Sequence, residues 1–296
     1  RTPHCGAVVG RCLLPDDTPE APDLPAVMQS GAVCLRNKVV ERVGVFRPEF
    51  FLRGWAEDLS FRIWKAGWAI ERFEDIIYRH ERLTTARDPA LAHYMAMRNH
   101  LILIERYLPK HMRPIYRKDW KQRYRALGAQ VCHDAAVSRG RRAGFLHGLG
   151  EMWRGREVLS EATLEILFQW RRQARQISAW AEEHDVRKVI IADYAQNLYA
   201  TFRACRLARL EIAGIVDDTL AFRGLKYRGL KVRPLEFIKT AEPDGIVLAN
   251  INPAEVAGRD EALREYFDGP ILHLWSPRKL HTGLASLTAG EARAAS

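Results

Sequence analysis

Between residues 186 and 275 the chain alternates short β-branched runs with helical patterns, and that rhythm leaves few folds open. Residues 186–191, 212–216, a short segment at Val232, 245–249 and 271–275 are spaced as strands. Residues 198–210, 235–238 and 255–267 carry helical spacing between them. Strands that take turns with helices indicate a parallel α/β unit. Residues 186–276 are therefore expected to form a small domain of that class.

The upstream half has a different texture. Residues 6–14 read as a buried strand that ends in the turn Pro15-Asp16-Asp17, and a Pro-rich loop follows. Residues 30–36 form a second short apolar run, and 38–43 a brief helical turn stopped by Gly44. From Asp58, the positions of Leu59, Phe61, Ile63 and Trp64 fit an amphipathic helix that stops at Gly67. Strand character returns over 68–73 and 76–78 and ends at His80. Pro89 then opens a long helix through Tyr107, broken by Pro109. Residues 126–157 are Gly-rich and expected to be irregular. A helix over about 160–183 is expected to link the halves, within a linker at 158–185. The last residues, 277–296, rich in Ala, Ser and Gly, read as a loose tail.

At 296 residues the chain is long enough for two domains with cores of their own. No apolar run approaches the roughly 18–20 residues of a spanning helix. No signal sequence opens the chain, and no initiating Met, so the true N-terminus is expected upstream. The five cysteines are scattered without a CxxC pair, which suggests reduced thiols in a cytoplasmic protein. The net charge of +10 is concentrated at Arg98, Arg106, Lys110, Arg113, Arg117, Lys118, Lys121, Arg123 and Arg125, against only Glu105 and Asp119. Tyr107, Tyr116, Trp120 and Tyr124 interleave with them. Such a segment suits the anionic inner face of a membrane or a solvated helix face. Nucleic acid is not expected, because no recognition motif accompanies the charge.

The densest chemistry lies in Gly54-Trp55-Ala56-Glu57-Asp58-Leu59-Ser60-Phe61-Arg62. Two adjacent carboxylates at a helix start can cap free N–H groups and complement the dipole. One of them can instead accept the proton of an attacking sugar hydroxyl, since a helix start fixes geometry.

Residues 31–81 carry a recognisable order of features. They are Gly31-Ala32 with Arg36, Val43-Gly44-Val45-Phe46 through Phe50, Glu57-Asp58, Gly67 and a lone His80, followed by Arg98-Asn99 on the next helix. This order resembles the acceptor half of family 2 glycosyltransferases with the GT-A fold, and the likeness covers residues 1–157. The resemblance implies that Asp58 is the general base, with Glu57 orienting it or binding the acceptor. It implies that His80 lies near the diphosphate and ligates a divalent metal, Mn or Mg; a solvated loop histidine is the equal alternative. Trp55 is either a platform for an acceptor sugar ring or a core residue. Arg98 and Asn99 pack or pin the active-site loop. The implied reaction is inverting transfer from a nucleotide-sugar donor to a glycan or lipid-linked acceptor, as in cell-surface polysaccharide biosynthesis.

Two departures qualify that picture. The donor-binding half with its D-x-D metal motif is missing from the chain, so the chain alone is expected to be inactive; Asp16-Asp17 reads as a turn. The Q-x-x-R-W signature of processive members is absent after His80. The second domain, with "KVIIADYAQN", "IAGIVDD", "FRGLKYRGLKV" and "PDGIVLA", resembles the Rossmann-like domains of sugar-modifying proteins. Its first turn, residues 192–197, holds no glycine and places Asp193 where a pyrophosphate would sit. That favours a structural or partner-binding role. The alternative for the whole chain is a non-catalytic scaffold or nucleotide-responsive regulator.

Overall fold

The computed structural model describes residues 4–20, 24–29, 31–80 and 88–275; the tail expected at 277–296 lies outside them. The chain is α/β, with one mixed and one mainly parallel sheet. In the first sheet, β1 (Cys5–Leu13) pairs parallel with β4 (Ala69–Arg79) along its whole length. Its other edge pairs antiparallel with β3 (Val33–Leu35) and then with β2 (Pro19–Glu20). The turn into β2 is built as its residues demand: Asp16 Oδ1 accepts the Thr18 N–H at 3.1 Å, and Asp17 takes a left-handed φ of 63°. The two strand runs expected before His80 are one strand with an irregular register between Gly10 and Arg11.

Between β3 and β4 run α1 (Asn37–Val43) and α2 (Trp55–Lys65). Gly44, at φ 74°, stops α1, and its N–H bonds the Val40 carbonyl. The second helix begins earlier than its apolar spacing suggests. Gly54 stands before it at φ 84°, so Glu57 and Asp58 fall inside the first turn. α3 (Pro89–Tyr107) starts where a cap and a proline place it, with Asp88 Oδ1 accepting the Ala90 N–H at 2.8 Å.

The stretch expected to be irregular is helical. α4 (Arg113–Gln130) and α5 (Asp134–Arg154) pack on α3 as a three-helix layer. The glycines that weakened the helical reading are contact residues. Gly140, Gly144 and Gly148 recur every fourth residue and face α3. A Cβ on Gly144 would sit 2.9 Å from the Arg98 carbonyl and 2.9 Å from Leu101 Cβ, and one on Gly148 would sit 2.8 Å from Glu105 Cγ. Their cost in helix propensity, about 1 kcal/mol each, is offset by close helix approach. The linker is two helices, α6 (Glu161–Phe168) and α7 (Trp170–Glu183), broken where Gln169 turns left-handed at φ 53°. Ser160 caps the first of them through the Thr163 N–H at 3.1 Å.

The second sheet runs β10-β9-β5-β6-β8-β7, from β5 (Lys188–Ala192), β6 (Glu211–Val216), β7 (Lys226–Tyr227), β8 (Leu230–Arg233), β9 (Gly245–Leu248) and β10 (Ile271–His273). All its pairings are parallel except the β7–β8 hairpin. α8 (Leu198–Leu207), α9 (Phe237–Ala241) and α10 (Pro253–Arg264) make the connections. One core joins both halves: Tyr116, Phe168, Trp170 and Tyr199, from α4, α6, α7 and α8, stack against one another.

That packing redirects the basic segment. Arg106 and Arg113 are buried, and Arg113 Nε donates to the Leu108 carbonyl at 2.7 Å. Arg98 Nη1 donates to the Glu49 carbonyl at 2.7 Å, and Arg123 donates to the carbonyls of Tyr194 and Ala195. Lys110, Lys118 and Arg125 remain exposed. Among the described residues, no helix is long and apolar enough to cross a membrane.

Replacing Gly144 by Ala is expected to force α3 and α5 apart and lower stability by about 1–3 kcal/mol. Gly150→Ala, where a Cβ meets nothing nearer than Arg154 Nη1 at 3.9 Å, is expected to be neutral or to stabilise by up to about 1 kcal/mol. Urea denaturation of the two variants measures both effects.

Candidate functional site

The start of α2 places its two carboxylates in opposite settings, because neighbouring helix positions point about 100° apart. Asp58 is fully buried. Its Oδ2 accepts from Arg62 Nε at 2.9 Å, one turn along the same helix, and lies 2.8 Å from Arg62 Nη2. Its Oδ1 accepts from the Tyr107 hydroxyl at 2.6 Å and from Arg47 Nη1 at 3.4 Å, and Arg106 Nη1 lies 3.5 Å away. Burial, and then the charge of Asp58, hold the Tyr107 phenol well above its usual range. Arg106 is also bound by Glu151 at 2.7 Å and Glu49 at 3.1 Å. Burial opposes its charge, but the Glu151 carboxylate outweighs that and raises its pKa.

Glu57 is only half-buried and borders a cavity of about 60 Å³ whose wall includes Phe61, Leu103, Ile104, Trp120 and Gln196. Burial raises its pKa, against the pull of the Arg53 charge and with a push from Asp58. The two carboxylates that the resemblance singles out therefore differ in their surroundings. Asp58, assigned there as the base, has both oxygens occupied and no open space before it. Glu57, assigned there to orientation, is the carboxylate at a cavity.

Trp55 is half-buried, edge-on to Phe46 at 5.0 Å, and packs on the core. Arg98 and Asn99 hold the loop that enters α2. Asn99 Nδ2 donates to the Arg53 carbonyl at 2.6 Å, while Arg98 Nη1 reaches both the Glu49 carbonyl and Asn99 Oδ1 at 2.7 Å. His80, just after β4, lies with Nδ1 3.0 Å from Glu20 Oε2, and Cys12 Sγ lies 3.6 Å from that oxygen. Cys12, Glu20 and His80 form the one group among the described residues with donor atoms close enough to share a metal ion. Burial pushes the Cys12 thiol up to about 11. Glu20 and His80 offer an oxygen and an imidazole nitrogen, which suit Mn better than Mg. Glu20 carries no motif of its own. The signal that finds it is the Pro15-Asp16-Asp17 turn, which folds residues 19–20 back beside Cys12 and Leu13.

A larger cleft, of about 650 Å³, lies at the carboxyl ends of β5, β6 and β9. From β5 the chain adds β6 and β8 on one side and then returns to add β9 on the other, so the cleft sits where strand order reverses. Asp193 occupies the turn after β5 at φ 73°, ion-paired to Arg259 at 2.5 Å. Burial outweighs that partner and raises the Asp193 carboxyl to about 6. Asp217 accepts the backbone N–H groups of Tyr194 at 2.7 Å and Thr219 at 2.8 Å, which makes it a turn-forming residue. Glu20 and Arg123 close the cleft from the first half, and Gln196 borders both this cleft and the Glu57 cavity. Comparison with protein-family models, curated proteins and solved structures returns no match.

Asp58→Asn removes the charge that offsets two buried guanidinium groups, and is expected to cost about 3–5 kcal/mol of stability, read by thermal or urea unfolding. Asp119, on α4, is raised to about 7 by burial despite Arg228, Arg123 and Lys118. The folded state thus keeps a proton that the unfolded chain releases near pH 4, so this group's contribution to stability falls as pH rises from about 4 to about 7. Asp119→Asn is expected to flatten the melting-temperature profile across that window.

Proposed function

We propose that this chain is the acceptor-side part of an inverting glycosyltransferase of the family 2, GT-A type, joined to a Rossmann-like domain. The observation that carries the reading is Glu57 in the lining of a cavity, on a helix start held by the Asp58 network. The order of elements agrees with it. A strand pairs parallel with β4 and antiparallel with β3, the carboxylate-bearing helix lies between those two in sequence, and β4 delivers His80 beside Glu20.

In this reading Glu57 takes the proton from an acceptor hydroxyl as its oxygen bonds to the anomeric carbon of the donor sugar. The bond from that carbon to the nucleoside diphosphate breaks with inversion. Burial around Glu57 raises its basicity, which suits a group that must hold a proton. Asp58 acts as a positioning residue, and Arg98 and Asn99 fix the loop entering α2. Glu20 and His80 fit two positions around a divalent ion such as Mn, which when bound neutralises charge on the departing diphosphate. No D-x-D motif occurs in the sequence, so the remaining donor-side ligands are assigned to residues outside this chain. The donor is a nucleotide-sugar and the acceptor a glycan or lipid-linked saccharide. The Rossmann-like domain supplies a wall of the site through Gln196. Its cleft carries Asp193 where a phosphate would need positive or neutral surroundings.

In a protein where a D-x-D-bearing half precedes this chain, Glu57→Gln is expected to lower turnover by about a hundredfold or more, with donor binding unchanged. The wild-type kcat/KM is expected to rise with pH along a limb set above the ordinary glutamate range, because the base must be ionised. Turnover near the wild-type level in Glu57→Gln rejects the assignment of the base. Absence of sugar transfer from every common nucleotide-sugar rejects the reading itself.

A further inference from the structure

α5 has two faces of opposite character. The face toward α3 is the glycine stripe, with Glu151 buried in the Arg106 network. The opposite face carries Phe145, Leu146, Leu149, Met152 and Trp153, spaced i, i+1, i+4, i+7 and i+8 on one side of the helix. They are 55%, 66%, 41%, 59% and 91% exposed, and Trp153 is the most exposed large apolar side chain among the described residues. Five large apolar groups in one stripe are a patch, not single exposures of the kind normal on a protein surface.

The charges around the stripe say what covers it. Arg142 continues it one turn toward the helix start, and Arg139 and Arg154 are exposed beside it. The only carboxylates in the helix are Asp134, in the first turn, and the buried Glu151. Beyond that first turn the exposed face holds arginines, apolar groups and Ser138, and no negative charge. Pairing this face with a second copy would bring two sets of arginines together with no carboxylate to offset them. An anionic bilayer offers both complements at once, acyl chains for the stripe and phosphates for the arginines. A Trp at the end of such a stripe suits the interfacial zone.

We propose that α5 is a peripheral membrane-docking helix that lies in the plane of an anionic lipid surface. The exposed stripe enters the headgroup boundary while Arg139 and Arg142 engage lipid phosphates. Phe51, in the loop before α2, is 76% exposed. Its loop is tied to α5 by Arg98, which bonds the Glu49 carbonyl at 2.7 Å and His147 Nε2 at 3.1 Å. The contact is distinct from the basic segment at 98–125, whose arginines are largely turned inward. It stands whether or not the chain takes part in sugar transfer.

The test is flotation of the full chain with phosphatidylcholine vesicles, plain or containing about one-third phosphatidylglycerol. Wild type is expected to float with the anionic vesicles and much less with the plain ones. The triple variant Phe145→Ser/Leu149→Ser/Trp153→Ser is expected to lower partition by about tenfold or more. An unchanged melting temperature would show that it folds. Arg139→Glu/Arg142→Glu is expected to remove the preference for anionic lipid, while Lys110→Glu/Lys118→Glu leaves it intact. The proposal is overturned if wild type stays with neither vesicle, or if the triple variant floats like wild type. It is equally overturned if the stripe instead supports a concentration-dependent dimer that the triple variant abolishes.

Discussion

The Asp58 carboxylate is the point on which the first half of the molecule is assembled. Its partners come from the loop before α2 (Arg47), from α2 itself (Arg62) and from α3 (Arg106, Tyr107). Arg106 extends the contact to Glu151 on α5, and Arg47 extends it to Glu157 beyond that helix. A lone carboxylate at this depth would be expelled or protonated. With three guanidinium groups and a phenol around it, its desolvation is compensated and each arginine gains a counter-charge. Arg62 also donates to the carbonyls of Val43 and Val45, so the turn at Gly44 is fixed by the same side chain. The consequence for the site is rigidity. Glu57 is held in place by what its neighbour binds, and its own carboxylate is left for the cavity.

The glycine stripe of α5 solves a second problem, how to seat three long helices on a small mixed sheet. Without Cβ atoms at Gly140, Gly144 and Gly148, backbone approaches backbone, and α3 is enclosed along most of its length. Enclosure explains why Asn99, Glu105 and Arg106 on that helix are buried despite their polarity. Each finds a partner on a neighbouring element: Asn99 the Arg53 carbonyl, Arg106 the Glu151 carboxylate, and Glu105 the guanidinium groups of Arg117 and Arg156.

Much of this could be read from the chain wherever a local rule and the tertiary structure ask for the same residue. Asp88-Pro89, Gly44 and Gly67 mark helix ends because their backbone chemistry leaves little choice, and the buried β-branched runs after residue 186 became parallel strands. Reading failed where one residue type serves two purposes. Glycines that lower helix propensity also permit close packing, so α5 resembled a loop. Arginines that suggest a charged surface also satisfy buried carbonyls and carboxylates, so the region from Arg98 to Arg125 resembled an outer face. Within the candidate site, the Glu57-Asp58 pair was visible, but which of the two is buried and which borders the cavity was not. That depends on which of two adjacent positions points toward α3, and only the packed structure sets it. Glu20 joined His80 through a hairpin whose turn was legible and whose register was not.

The loop after β5 reaches from one half of the molecule into the other. Gln122 binds the Tyr194 hydroxyl at 2.5 Å and Arg123 the neighbouring carbonyls, which holds the loop against α4. Gln196, in the same loop, stands in the wall of both the small cavity at Glu57 and the large cleft at Asp193. Any occupant that shifts this loop changes the free energy of filling the other cavity, and by reciprocity the second occupant acts on the first by the same factor. A short loop without a single glycine thus lines both cavities while it is bonded to α4.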